Sequence, residues 1–584
     1  MRYLALATDY DGTLATDGQV SADTWAAVKR LRESGRKVLL ATGRRLDDLR
    51  EVCPHLDWFD RVIAENGALL YRPAVREEQV LAPAPPEKFV RTLRERNVSP
   101  LEVGRCIVAT LVPQETTVLQ VIRELGLELQ VIFNKDAVMV LPASVNKATG
   151  LAAALDELGL SPHNVVGIGD AENDHAFLAS CECAAAVSNA LPMLKQHVDI
   201  VTRGDHGHGV VELIDELLAD DLRNREARLT RHHVLLGQRA DRGETRISPY
   251  GSTVLVAGPS GSGKSTVTTG LIERLAQAGY QFCVIDPEGD YENLEEAVVL
   301  GDSQRAPGVE EAMKLLRQIR QNVVINLLGI PLADRPMFFA SLLPRVQELR
   351  ARMGRPHWLV LDEAHHLCPT AWQAAPKTLP QQLSPALLIT VHPDLLAPAV
   401  LSPVNLVLAV GHDPGDTLRR FTTVLSQPPP SSVPVTLETG ETLAWFRDRA
   451  EEAPFRVRVE PPRTERRRHS RKYTEGLLVP ERSFYFRGPD GKLNLRAHNL
   501  WLFLELASGV DDDTWLHHLR RGDYSQWFRE VIGDDRLADE TETIERQTDL
   551  SAAASRKRIR EAVERNYTAP ANAVIFDKGS ATGS

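Results

Sequence analysis

Tyr3-Leu-Ala-Leu-Ala-Thr8 runs straight into Asp9-Tyr10-Asp11-Gly12-Thr13. A largely apolar run that stops at two carboxylates and a glycine reads as a buried strand with acidic side chains at its exit. In a doubly wound parallel sheet, ligands bind in the crevice at the carboxyl ends of the strands. Asp9 and Asp11 therefore suit a nucleophile and its acid/base partner. The same punctuation recurs downstream. Lys37-Val-Leu-Leu-Ala41 meets Thr42-Gly43-Arg44, Lys147 opens an expected helix, and Val165-Val-Gly-Ile-Gly169 meets Asp170-Ala-Glu-Asn173-Asp174.

This ordered set resembles the haloacid dehalogenase superfamily of phosphatases. Glu65-Asn66-Gly67-Ala68 and the insertion before Lys147 are further similar to its Cof-like branch of sugar and phosphoglycolate phosphatases. The resemblance implies a Mg²⁺-dependent phosphate-monoester phosphatase in which Asp9 attacks phosphorus to form an aspartyl-phosphate. Asp11 would then act as acid and base, while Thr42 and Lys147 would hold the phosphoryl oxygens. It further implies that Asp9, the backbone carbonyl of Asp11 and Asp170 hold Mg²⁺, with Asp174 supporting that site. Residues 82–140 fit a cap of helix, strand, helix, strand, strand that selects the substrate, with Arg105, Asn134 and Lys135 as candidate contacts.

A second constellation begins at Thr253-Val-Leu-Val-Ala257 and enters Gly258-Pro-Ser-Gly261-Ser-Gly263-Lys264-Ser265-Thr266. Strand, glycine loop and helix are the context of a phosphate-binding loop, in which backbone amides face the phosphates, Lys264 reaches the β and γ groups and Ser265 binds Mg²⁺. His357-Trp-Leu-Val-Leu361 delivers Asp362 to the magnesium shell and Glu363 to activate water. Leu387-Leu-Ile-Thr390-Val-His392 ends in polar groups suited to sensing a γ-phosphate. The order is similar to the HerA/FtsK branch of P-loop ATPases, which implies ring-forming motors with an arginine supplied by a neighbour, for which Arg419 and Arg420 are candidates. Adjacent His365 and His366 point to different sides, so one is expected to line the site and no metal is assigned to them.

Composition bounds the rest. At 584 residues the chain holds three to four domains of roughly 150 each. With 79 acidic against 68 basic side chains, its net charge of -11 excludes a generally cationic surface for nucleic acid. Six scattered cysteines form no disulfide framework and no zinc spacing, so reduced thiols in a cytoplasmic protein are expected. Leu387 to Val410, the most apolar later stretch, is broken by prolines and polar residues, so no membrane span is expected.

The expected fold is α/β: a Rossmann-like phosphatase core over 1–220 with the cap at 82–140, a connector at 221–247 and a P-loop ATPase at 248–456. A basic linker at 457–482, a small helical module at 483–548 and a helical or disordered tail at 549–584 complete it. Trp515, Leu519, Trp527 and Phe528 are expected as the core of the module, where His517, His518 and Asp523 are candidate binders of an unnamed ligand. Gly204-Asp-His206-Gly-His208-Gly209 reads as a glycine-rich turn.

The leading expectation is a two-headed enzyme, a hydrolase acting on a small phosphate monoester, with Mg²⁺ as cofactor and ATP as substrate or regulator. A homo-oligomer through the ATPase domain is expected, no membrane partner, and nucleic acid is left open. The alternatives are a polynucleotide phosphatase/kinase, or an ATP-gated assembly or motor with phosphatase output.

Overall fold

The computed structural model describes all residues except 242, 260, 371–382, 432–434, 450–452, 464–477, 479, 533, 548 and 567–584. The arginines of the basic linker from Arg466 to Arg471, and the tail from Thr568, lie outside the described residues.

The first sheet has eight strands in the order Ile200–Val201, Cys183–Ala186, Val165–Gly169, Ala5–Thr8, Lys37–Ala41, Arg61–Ala64, Leu69–Arg72 and Glu77–Val80. The first six are parallel and the last two turn back antiparallel. Every residue of Ala5–Thr8 is buried, as helices on both faces of a parallel sheet require. The helix Ala22–Glu33 starts where Ser21 Oγ accepts from Thr24 N at 3.2 Å, and carries Arg30 and Arg32 in its last turn. Lys147–Leu158 is framed on both sides. Asn146 and Thr149 form a capping box, and Gly159 closes the helix in the left-handed region at φ 70°.

The cap is a separate layer: helices Glu87–Glu95 and Glu115–Glu124 over a four-stranded antiparallel sheet ordered Glu102–Val103, Val108–Leu111, Ala137–Pro142, Leu129–Asn134. Its own core packs Phe89, Leu93, Val118 and Val121 against Val108 and Val140. The expected alternation is present, with Glu102–Val103 as an additional short strand.

The second sheet has eleven strands. The phosphate-loop strand Thr253–Ala257 lies between Ala386–Thr390 and Leu406–Ala409, all parallel. Trp358–Leu361, which leads to Asp362, is the next strand beyond Ala386–Thr390. Thr390 is thereby interposed between the two motifs. The segment 234–247 contributes Val234–Arg239 and Glu244–Ile247 to the antiparallel flank of this same sheet, beside Phe455–Val459.

The C-terminal module joins a two-stranded sheet, Phe484–Phe486 with Leu495–Ala497, to helices that run to Asn566. Trp515, Leu519, Trp527 and Phe528 form its core, as expected. His518 is also structural: Nδ1 donates to Asp523 Oδ2 (2.7 Å) and Nε2 accepts from Arg487 N (3.0 Å). Residues 206–220 form a helix rather than extending the glycine-rich turn: the Asp205 carbonyl accepts from Gly209 N at 3.1 Å, and Gly207 and Gly209 are buried. All six cysteines are buried free thiols. Among the described residues no helix is long and apolar enough to cross a membrane.

Candidate active sites

The strand ends of the first sheet bring the separated motifs together. Asp9 leaves Ala5–Thr8, Thr42 leaves Lys37–Ala41, Asp170 leaves Val165–Gly169, and Lys147 enters as the first residue of its helix. Fully buried Lys147 donates from Nζ to Asp9 Oδ1 at 2.5 Å and to Asp174 Oδ1 at 2.6 Å. Asp174 Oδ2 accepts from the backbone of Asp170 (2.8 Å) and Ala171 (3.0 Å), so both its oxygens are engaged in bracing the loop.

Two buried carboxylates, Asp9 and Asp174, thus share one buried ammonium. Burial, followed by the Asp174 charge, pushes the Asp9 carboxyl well above the usual carboxylate range against the pull of Lys147. Burial also raises Asp170, offset in part by Lys135. For Lys147 burial acts against the charge, but Asp174 and Asp9 outweigh it and hold the ammonium above the ordinary lysine range.

Ligand atoms of Asp9, Asp170 and Asp174 lie within 4.8 Å of one another. Hard, clustered oxygens with a surplus of negative charge fit a divalent cation such as Mg²⁺. Gly12, at φ 79°, keeps the backbone close, since a Cβ there would sit 2.4 Å from Asp170 Oδ2. Lys135 Nζ, from the cap hairpin, donates to that oxygen at 2.8 Å. A cationic group therefore already sits against the cluster.

The Asp11 carboxylate points elsewhere. Arg44 grips it with both arms of the guanidinium, at 2.6 and 2.7 Å. The Asp11 carboxylate is thus held by Arg44 and is not part of the cluster of Asp9, Asp170 and Asp174. Thr42 is buried, with its Oγ1 accepting from Arg44 N at 3.1 Å.

In the second sheet, Gly258, Gly261 and Gly263 all have positive φ, and a Cβ on Gly258 would lie 2.2 Å from Val410 O. Lys264 Nζ folds back to donate to Gly258 O (2.9 Å) and Pro259 O (2.7 Å), carbonyls of the loop itself. Ser265 is half-buried and Thr266 exposed at the start of the helix Lys264–Gln277. Asp362 is buried at its strand end, and Glu363 follows in the left-handed region at φ 38°. His365 Nδ1 bonds Thr390 Oγ1 at 3.0 Å and lies 3.5 Å from Glu363 Oε2. Burial, then the neighbouring His366 and His392, lower the His365 pKa to about 4, leaving a neutral ring at pH 7. Arg419 and Arg420 pair with Asp416 on their own helix.

Comparison with known proteins places both halves. Residues 6–106 and 128–214 match the family described as haloacid dehalogenase-like hydrolase. A phosphoglycolate phosphatase of Methanothermobacter thermautotrophicus is 30% identical over 216 residues, covering 36% of this chain and 96% of that protein. The chain belongs to the haloacid dehalogenase-like hydrolases. Phosphoglycolate phosphatase 2 of Saccharolobus solfataricus is 28% identical over 224 residues, covering 37% of this chain and 93% of its own. A solved haloacid dehalogenase-like hydrolase from Bacteroides thetaiotaomicron aligns at 19% identity and a TM-score of 0.33, covering 37% of this chain and 99% of that one. Residues 253–342 match the CobQ/CobB/MinD/ParA nucleotide binding domain. This protein is thus a haloacid dehalogenase-like phosphatase joined to a P-loop nucleotide-binding domain.

One residue of this hydrolase was legible as a motif without a task. Glu65, buried at φ 50°, reaches into the cap: Oε1 accepts from Arg105 N (2.9 Å), and Oε2 from Cys106 N (2.6 Å) and Ile107 N (3.1 Å). A core carboxylate thereby satisfies three cap amides and fixes the cap over the site. Of the cap candidates, Lys135 reaches the acidic cluster, whereas the Arg105 guanidinium pairs with Asp47 and Glu78.

Proposed function

We propose that the phosphatase head hydrolyses small anionic phosphate monoesters of the phosphoglycolate type through an aspartyl-phosphate on Asp9, and that the P-loop head binds and hydrolyses ATP. The observation that carries the first part is the convergence of Asp9, Thr42, Lys147 and Asp170 at neighbouring strand ends. The substrate class is supported by relatives named phosphoglycolate phosphatase that match over nearly their full length. Lys135 at the mouth adds a cation suited to an acidic ester.

Asp9 attacks phosphorus as its oxygen leaves Lys147, which turns its protons to the transferring oxygens. Thr42 donates to the same group. Asp11, released from Arg44, carries the proton to the leaving oxygen and later takes one from the attacking water. Asp9, Asp170 and the Asp11 carbonyl would hold Mg²⁺, which when bound offsets phosphoryl charge, while Asp174 keeps Lys147 and the loop in place.

In the second head the Lys264 ammonium exchanges loop carbonyls for phosphate oxygens, Ser265 and Asp362 would hold Mg²⁺, which when bound would offset phosphate charge, and Glu363 orients water. Neutral His365 and Thr390 line the γ-phosphate end.

Phosphate release from a panel of monoesters and from ATP tests both parts. Asp9→Asn should silence only the monoesters, and Lys264→Ala should remove ATP turnover. Monoester turnover that survives Asp9→Asn would refute the first part, and ATP turnover that survives Lys264→Ala the second.

A further inference from the structure

The two heads meet through buried polar side chains. His163 occupies the single turn between the helix that Lys147 opens and the strand that ends next to Asp170. Its ring stacks on Tyr280 with centroids 3.8 Å apart. Nε2 lies within hydrogen-bond distance of Ala278 O (2.7 Å), at the far end of the helix whose first residue is Lys264. Nδ1 hydrogen-bonds Glu182 Oε2 (2.7 Å), which also accepts from the Tyr280 hydroxyl (2.8 Å), while Arg2 holds Oε1 (2.8 Å). Ligand atoms of His163, Glu182 and His232 lie within 4.8 Å. Because the Glu182 carboxylate is fully hydrogen-bonded inside the protein, this group is a lock between domains rather than a metal centre.

A second link runs the other way. Arg355 is fully buried and donates to Gly159 O (3.0 Å), the C-terminal end of the Lys147 helix, and to Gln281 Oε1 (3.0 Å). It stands just before the strand that delivers Asp362 and Glu363. Beside it, Gly354 at φ 65° packs so closely on Asn164 that a Cβ would meet Nδ2 at 2.2 Å.

We propose that these cross-links make the two sites one coupled unit, in which nucleotide occupancy sets the phosphatase rate and a phosphatase ligand shifts nucleotide affinity in return. Each link joins the far end of a site-bearing element in one head to the far end of a site-bearing element in the other. The helix Lys264–Gln277 is a rod of about 21 Å. When Lys264 leaves Gly258 O and Pro259 O for phosphate, a step that rests on the nucleotide assignment proposed above, the helix reseats and its other end moves against His163. Densely packed elements transmit such a shift rather than absorb it. His163 and Arg355 pass it to the strand ending at Asp170 and to the helix bearing Lys147.

The full chain is tested with a non-hydrolysable ATP analogue and Mg²⁺, its binding followed by calorimetry. Saturating analogue should change phosphatase kcat/KM by about fivefold or more. It should also alter amide hydrogen exchange across residues 147–170. Tyr280→Phe, which removes one hydroxyl without emptying the core, and His163→Gln should shrink both responses while each head keeps its basal activity. Binding of the analogue with no response in either readout overturns the coupling alone. Absence of binding overturns the nucleotide assignment, and the coupling with it. Should monoester turnover be lacking altogether, the phosphatase reading fails while hydrogen exchange still decides the coupling.

Discussion

Asp9 shows how a reactive residue is purchased with stability. It is buried beside Asp170 and Asp174 and shares the Lys147 ammonium with Asp174, so its charge strains the metal-free fold. Asp9→Asn should reduce monoester turnover on the order of 10³-fold or more while raising the metal-free melting temperature in calorimetry. A lowered melting temperature would contradict the strain. Glu182 is the opposite case. Burial raises its carboxyl, but the His163 hydrogen bond and the charges of His163, Arg2 and His232 prevail and bring it from 4.5 to about 2. A depressed folded pKa supplies stability that is complete above the unfolded value and lost as pH falls from about 4.5 toward 2. Converted at 1.36 kcal/mol per unit, this contribution is on the order of 3 kcal/mol. Glu182→Gln should therefore lower stability at pH 7 and flatten the acid limb between those pH values in urea titrations.

At the level of elements, the sequence made strand exits legible because apolar runs ending in Asp or Gly leave a one-dimensional trace, as in Ala5–Thr8 and Thr253–Ala257. The cap was legible for the same reason, its helices and strands alternating with distinct periods. What escaped was long-range polar pairing. Nothing in Glu65-Asn66-Gly67 says that the carboxylate binds amides some forty residues away. The clamp of Arg44 on Asp11 and the placement of Thr390 between the phosphate-loop and carboxylate strands likewise depend on tertiary register. Glu65→Gln leaves an acceptor for some of the three amides but not all, and should loosen the cap. The expected result is a roughly tenfold fall in phosphatase kcat/KM with ATP turnover within twofold of wild type, compared in parallel steady-state assays.

For the whole molecule, sequence patterning separated two α/β halves but gave no sign of their joint. The interface residues Arg2, His163, Glu182, Tyr280 and Arg355 come from stretches that read as ordinary turns and strand starts. A ligand that binds only the folded state stabilises by about 2.7 kcal/mol at a hundredfold excess over Kd. ATP with Mg²⁺ should thus raise the melting temperature of the wild type and leave that of Lys264→Ala unchanged. The buried thiols offer a separate view of the same architecture. Burial pushes Cys53 and Cys181 up to about 12, Cys106 to about 11 and Cys283 to about 12, which keeps them as inert thiols in the native chain. Four lie in the phosphatase half and two in the nucleotide half, with none beyond Cys368. Nature has in effect installed silent reporters in each half, so alkylation kinetics read by peptide mass would record the order in which the halves breathe, and a joint that holds would make them breathe together.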